Sequence, residues 1–408
     1  MHILKRLSLG CVFISLSLSA IAQDQPAEQE KSLEVYGFVQ MDGGYNAGQI
    51  DPNWYDVMRP TKLPSYKNQW GANGSTYLSV RQTRFGVKSY TNTSLGELKT
   101  WFEFEFFGTG VDAGQTTIRL RHAYGELGKF GAGQTWSPFM DIDVFPNSLE
   151  YWGPNGMVFY RNVQFRYMPI QGDTRLTFAL ERPGASADQG IYANRIELQN
   201  VASHFPLPDL SGEFRKAGKF GYVELAGIVR YIGWREVLDT TSYNLDGEAL
   251  GWGLNLSTNL KLGSKTTFRG SAVYGQGIQN YMNDAPVDVG IKNTGNVNSP
   301  IKGVALPILG LVGFFDINWS EKWCTAVGYS YMNIQNSNGM NANAFKSGQY
   351  GLINLLYKPV PKVMAGIEVQ YGSRENYTDG FNSNAIKVQM SFKYNWGQTF
   401  YRKPEPKP

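Results

Sequence analysis

Beyond its first 22 residues this 408-residue chain has no apolar run approaching the roughly 18 residues that a membrane helix needs, which excludes a helical membrane bundle. Cysteine is almost absent, with only Cys11 and Cys324. Histidine is scarce too: His2, His122 and His204 are the three, and no G-x-S-x-G or HExxH pattern surrounds them, so hydrolase and zinc-protease chemistry has no motif here. No cofactor is implied. Charge of one sign is also missing. Lys5 and Arg6 lie in the first 22 residues, which leaves 36 basic against 34 acidic side chains in the remainder and no electrostatic support for a nucleic-acid partner.

Those first residues place Lys5 and Arg6 before an apolar stretch at 7–20 that closes on Ala20-Ile21-Ala22, the pattern of a cleaved secretory signal peptide over 1–22. A lipoprotein signal at Gly10-Cys11 fits less well, because Cys11 precedes most of the apolar stretch and Ser8 stands where such signals carry Leu. After cleavage Cys324 has no partner within the chain for a disulfide.

What the chain does have is 46 Gly, 24 Tyr, 23 Phe and 10 Trp within a polar average. Alternation reconciles these. In the last clear segment Ile386, Val388, Met390, Phe392, Tyr394 and Trp396 alternate with Lys387, Gln389, Ser391, Lys393 and Asn395. Period two gives one apolar and one polar face. The same pattern sets Leu98, Phe102, Phe104 and Phe106 against Lys99, Trp101, Glu103 and Glu105, and Ile367, Val369 and Tyr371 against Glu368 and Gln370. A strand between lipid and a wet interior looks like this.

Very short turns fall near Ser94, Lys129, Gly172, Gly218, Ser264, Ser320 and Pro361, with mostly longer polar connections between them. Seven short turns join fourteen strands; a first strand near 33–45 and a last near 385–396 bring the total to 16. The expected fold is therefore all-β: a transmembrane antiparallel β-barrel over 33–396 with short periplasmic turns and longer extracellular loops, wide enough for an aqueous lumen. Residues 23–32 read as a flexible lead and 397–408 as a periplasmic tail.

Gly133-Gln134-Thr135-Trp136-Ser137-Pro138-Phe139-Met140-Asp141 resembles the DcaP-like family of outer-membrane porins, as do Tyr36-Gly37-Phe38-Val39, Thr83-Arg84-Phe85-Gly86-Val87-Lys88 and Leu120-Arg121-His122-Ala123-Tyr124. The resemblance covers most of the chain and is densest over 34–180. It implies a 16-stranded homotrimeric porin of a Gram-negative outer membrane, with a lumen favouring anions such as dicarboxylates. Two departures are a short lead before the first strand and a barrel that does not stop at a terminal aromatic.

A passive pore needs a polar wall, a constriction and a field rather than a reacting side chain. Strand phase puts Arg84, Arg119, Arg121 and Arg166 on the lumen face as anion-attracting residues, with Arg230, Arg269 and Arg374 further along. Each could equally be a solvated wall residue paired with an acid such as Glu103, Glu105, Glu224 or Glu368. The connection at 137–156, carrying Asp141, Asp143 and Glu150, is the candidate constriction loop, its acids facing the arginines across the pore. Asp141 and Asp143 also fit a weak calcium site. His122, in phase with Leu120 and Tyr124, reads as an outer interface or rim residue. The expected partners are small polar or anionic solutes and outer-membrane lipid and lipopolysaccharide. The alternatives are an adhesive or structural barrel working through loops at 46–75, 183–209 and 279–303, a soluble secreted β-protein, and a Ser-His lipase dyad on the barrel exterior.

Overall fold

The computed structural model describes residues 31–238 and 244–402. The expected signal peptide, the lead as far as residue 30 and residues 403–408 lie outside the described residues.

Sixteen antiparallel strands close on themselves. They are β1 (Lys31–Asn46), β2 in two segments (Ser75–Ser79 and Arg84–Thr93), β3 (Gly96–Phe107), β4 (Thr116–Leu127), β5 (Phe130–Trp136), β6 (Arg161–Ile170), β7 (Thr174–Glu181) and β8 (Asp209–Gly218). The second half comprises β9 (Gly221–Glu236), β10 (Gly247–Leu262), β11 (Thr266–Gln276), β12 (Pro307–Asn318), β13 (Trp323–Ile334), β14 (Phe345–Tyr357), β15 (Val363–Asn376) and β16 (Asn382–Arg402). Each pairs with the next, and β1 pairs with β16 from Lys31↔Arg402 to Asn46↔Lys387. Among the described residues closure leaves no strand at a free edge of the barrel, which a lipid setting requires. The short turns fall where the glycines and small polar residues predicted them; in the β4–β5 turn Gly128 has φ 58, a left-handed conformation that a side chain would disfavour.

Alternation works as the sequence implied. Val388, Met390 and Phe392 are exposed on the outside, whereas Lys387, Gln389 and Ser391 are fully buried within the barrel. The strand ends differ from the expectation. The β1–β16 ladder takes in residues 31–32 of the expected lead and 397–402 of the expected tail. Gln398 interrupts the apolar alternation yet keeps its ladder position opposite Val35, and exposed Phe400 and Tyr401 follow it.

The lumen is partly filled by chain. The β1–β2 connection, read above as a surface loop at 46–75, instead folds inward and buries Trp54, Val57, Met58 and Leu63. It meets the β5–β6 connection through Met58 N–H to Glu150 Oε1 at 3.0 Å and the β11–β12 connection through Arg59 Nε to Asp284 Oδ1 at 2.8 Å. Met58 and Leu63 join Phe139, Met140, Val144, Met157 and Val158 in an apolar core against Ala226, Ile228, Val312 and Phe314 of the inner wall, while Trp54 and Val57 pack with Phe107 in a separate cluster. Burying these side chains drives the connections into the barrel, where their polar groups use the lumen-facing wall as partners. Separate from the barrel sheet, Ala187–Asp188, Val289–Asn293 and Ile301–Ala305 make a small three-stranded sheet among the longer connections.

Candidate constriction site

The β3 strand brings Glu103 and Glu105 to the lumen face two residues apart, and four guanidinium groups gather round them. Arg84 of β2 lies 3.7 Å from Glu103 and 3.2 Å from Glu105. Arg119 and Arg121 of β4 both bond Glu105, and Arg121 also donates to Glu103 at 2.6 Å. Arg161, the first residue of β6, is 4.0 Å from Glu105. Four cations on two carboxylates leave a formal excess of two positive charges on this arc. Tyr151 from the β5–β6 connection bonds Glu105 and Arg119 through its hydroxyl, which accepts from Arg121 Nη1 at 3.2 Å.

A bulge arranges this cluster. In the β3–β4 ladder Glu103 faces His122 and Phe104 faces Leu120, so Arg121 is the extra residue. The bulge flips the strand's phase, so Arg119 and Arg121 point inward together with His122 and Tyr124 rather than opposite them. The reading of His122 as an outer residue is therefore corrected. It is fully buried, stacked on Trp101 with ring centroids 3.5 Å apart, with Nδ1 3.0 Å from Thr135 Oγ1.

Arg166 stands apart from the four-arginine cluster. Its Nε donates to Gln164 Oε1 at 3.1 Å, its Nη2 bonds the Trp136 carbonyl, and its guanidinium lies 5.6 Å from the Tyr124 ring centre. Strand parity concealed Arg161, which shares the phase of outward Val163 and Phe165. At the hand-over from loop to strand it turns toward Glu105 and the Trp136 ring, 4.7 Å away. Its neighbouring Tyr160 and the end of a 20-odd-residue connection were the only sequence hints.

The acids of the connection do not face these arginines directly. Asp141 accepts from Arg215 at 2.7 Å, from the Tyr222 hydroxyl at 2.7 Å and from Ser257 at 2.6 Å. Asp143 accepts from Arg215 at 2.6 Å. Asp141 is thus held by side chains of β8, β9 and β10, whereas half-exposed Asp143 is held by the same Arg215 alone, so each carboxylate already has a cationic partner. Arg175, Arg215 and Arg269 share Asp141, Asp143, Glu213, Glu224 and Asp316, so this arc carries a formal excess of two negative charges, three cations against five carboxylates. The positive arc belongs to β2–β6 and the negative to β7–β12, their centres between five and six strands apart in the ring of sixteen. Charges so placed give a field across the pore rather than along it.

Glu150 lies away from both arcs. Only 2% exposed, it accepts from Met58 N–H at 3.0 Å and from Gly153 N–H, while its own N–H and that of Leu149 donate to Glu368 at 3.1 and 2.7 Å. It anchors the connection to the β15 wall. Arg230 is likewise a buried tie, bonded to Asp209 and Asp288 at 2.8 Å each. Beside the positive arc a cavity of about 330 Å³ is lined by Arg119, Arg161, Tyr151, Trp152 and Tyr160.

A sequence model of the family described as DcaP outer membrane protein matches residues 14–396. The crystal structure of the outer membrane channel DcaP of Acinetobacter baumannii superimposes with TM-score 0.74 at 19% identity, covering 90% of this chain and 97% of that one. An anion-selective porin from Comamonas acidovorans gives TM-score 0.55 at 10% identity, covering 90% and 100%. OmpT of Vibrio cholerae gives 0.53 at 12%, covering 90% and 98%. These structural likenesses concern the fold. No curated protein sequence matches the chain.

Proposed function

Since the chain belongs to the DcaP outer membrane protein family, we propose that this barrel is a passive porin whose narrow section favours small anions, dicarboxylates among them. The observation that carries this reading is the gathering of Arg84, Arg119, Arg121 and Arg161 on only Glu103 and Glu105. Guanidinium groups stay charged at every relevant pH, hold water less tightly than ammonium and bind carboxylates bidentately, so the two surplus charges attract a passing anion without trapping it among strong bonds. The opposed negative arc orients the solute's dipole and disfavours apolar molecules. The DcaP channel of Acinetobacter baumannii and the anion-selective Comamonas porin support the reading by their common architecture.

In the same reading the barrel assembles as a homotrimer, its outward apolar band meeting lipid, lipopolysaccharide and neighbouring copies, after export on a cleaved signal peptide. The test is conductance in planar bilayers under a salt gradient. Open channels with a reversal potential on the anion side, and faster uptake of succinate-sized dianions than of neutral sugars of equal size, are the expected results. Folded protein that stays electrically silent, or prefers cations, rejects the proposal.

A further inference from the structure

Among the described residues Arg81, Arg121, Arg230 and Arg374 are the buried arginines. The first three end on carboxylates: Arg81 on Asp56, Arg121 on Glu103 and Glu105, and Arg230 on Asp209 and Asp288. Arg374 on the lumen face of β15, only 8% exposed, makes no ion pair among the described residues. Its Nε donates to Asn376 Oδ1 at 2.9 Å, its Nη1 to the Thr61 carbonyl at 2.8 Å and its Nη2 to the Asn343 carbonyl at 2.9 Å. A guanidinium has five N–H donors, so each terminal nitrogen keeps one N–H without a partner among these residues. That pair is what a carboxylate takes up in a two-pronged contact. The neighbouring acids are engaged elsewhere, Asp284 by Arg59 and Thr61 and Asp379 by Asn376 and the Phe381 N–H. A cation buried without an anion is costly, and an arriving carboxylate offsets that cost.

A space lies beside Arg374. At the end of the barrel away from the short turns, a cavity of about 270 Å³ is lined by Arg374, Asn341 and Asn343 and by apolar Leu306, Ile334, Met340 and Phe345. The two amides add donors for a carboxylate. Asp188 is the one acid of this lining. Its Oδ1 accepts from Gly190 N–H at 2.8 Å, and it too makes no ion pair among the described residues. Its place is fixed, because Asp188 pairs with Gly290 in the small sheet and Ile191 N–H donates to the Gly339 carbonyl at 3.0 Å, beside Met340 and Asn341. One cation and one carboxylate, neither with an ion partner, therefore share a small cavity. A second carboxylate on a ligand would be repelled by Asp188, whereas an ammonium would be attracted. The apolar lining takes up a hydrophobic body.

We infer that this cavity binds a small zwitterion, its carboxylate on Arg374, its ammonium on Asp188 and its apolar body against Leu306, Ile334, Met340 and Phe345. At about 30 Å³ per heavy atom, the share of a water in the liquid, the cavity has room for about nine, the size of leucine. The site belongs to the β13–β15 side and is separate from the arginine cluster of β2–β6. Saturation-transfer NMR on the detergent-purified protein tests it, with L-leucine as the probe. Transfer to the leucine protons is expected, with much less to isocaproate, isoamylamine or succinate, which lack one charge of the pair or carry two of one sign. Asp188→Asn and Arg374→Gln should each weaken leucine binding about tenfold, the loss of one charge-assisted contact. Arg374 also ties two connections to the wall, so gel mobility before and after heating checks that its variant is folded; if it is not, Asp188→Asn decides. No transfer to leucine, isocaproate or succinate bound as strongly as leucine, or full affinity in Asp188→Asn overturns the inference. The measurement needs no current: an electrically silent barrel that binds leucine would reject the porin reading and leave this site standing.

Discussion

Arg84, Arg119 and Arg121 all end on Glu105, so this one carboxylate sets how much of their charge a passing ion feels. Changing Glu105→Gln raises the formal excess on the arc by one and should move the reversal potential further toward anions. It also leaves crowded guanidinium groups less compensated at a buried position, which typically costs about 3–5 kcal/mol. Heat-induced unfolding followed by gel mobility should show that loss. An unchanged reversal potential in a folded variant would mean the ions pass elsewhere. Glu150 tests a different residue-level effect. It sits on the infolded connection, outside the strands, where burial pushes its carboxyl up to about 7, with Glu368 adding to the rise and Lys387 and the Gly153 and Met58 N–H groups opposing it. A carboxyl whose folded pKa is raised gives its full stabilisation below the ordinary carboxylate range and loses it as pH rises through about 7. Thermal stability should therefore fall between pH 5 and pH 8, and Glu150→Gln should flatten that slope; equal slopes in both proteins would remove Glu150 as the cause.

Single strands were the most legible elements, because a period of two survives every interruption that keeps residue count. The outer face of β16 was readable from Ile386 to Trp396, and the structure places Val388 outside and Lys387 inside. Val388→Arg should cost about 2–4 kcal/mol if the site is near the bilayer midplane. Urea unfolding in lipid vesicles measures it, with Ser391→Arg as the lumen-side comparison. Where one residue is inserted, as at Arg121 in β4, parity beyond it inverts, and nothing in the local composition marks the bulge. That is why His122 and Tyr124 were assigned to the wrong face while Arg119 and Arg121 were assigned correctly. Arg161 was lost for a related reason, since the first residue of a strand need not obey the strand's parity. The inward fold of the β1–β2 connection could not be read either: Trp54, Val57, Met58 and Leu63 show no periodicity, and their burial depends on the Glu150 and Asp284 contacts made far along the chain.

For the molecule as a whole, net charge says little about what passes, since basic and acidic residues nearly balance at 38 and 34 over the full chain. The balance is uneven in space, with two surplus positive charges in the β2–β6 cluster and two surplus negative charges in the β7–β12 cluster. A selectivity made by such a field must depend on salt, because the Debye length falls from about 10 Å at 0.1 M to about 3 Å at 1 M. At low salt an ion anywhere in the narrow section feels the arginine arc; at high salt only an ion touching it does. Anion preference should therefore be strong at 0.1 M and shrink toward 1 M. The double change Arg84→Gln and Arg119→Gln, which removes the two most exposed members while keeping the buried Arg121 to hold Glu103 and Glu105, should abolish most of the preference at 0.1 M and alter little at 1 M. Reversal potentials across a series of salt gradients measure both arms. A preference that stays constant with salt, or survives the double change, would assign selectivity to the width and hydration of the pore instead of its transverse field.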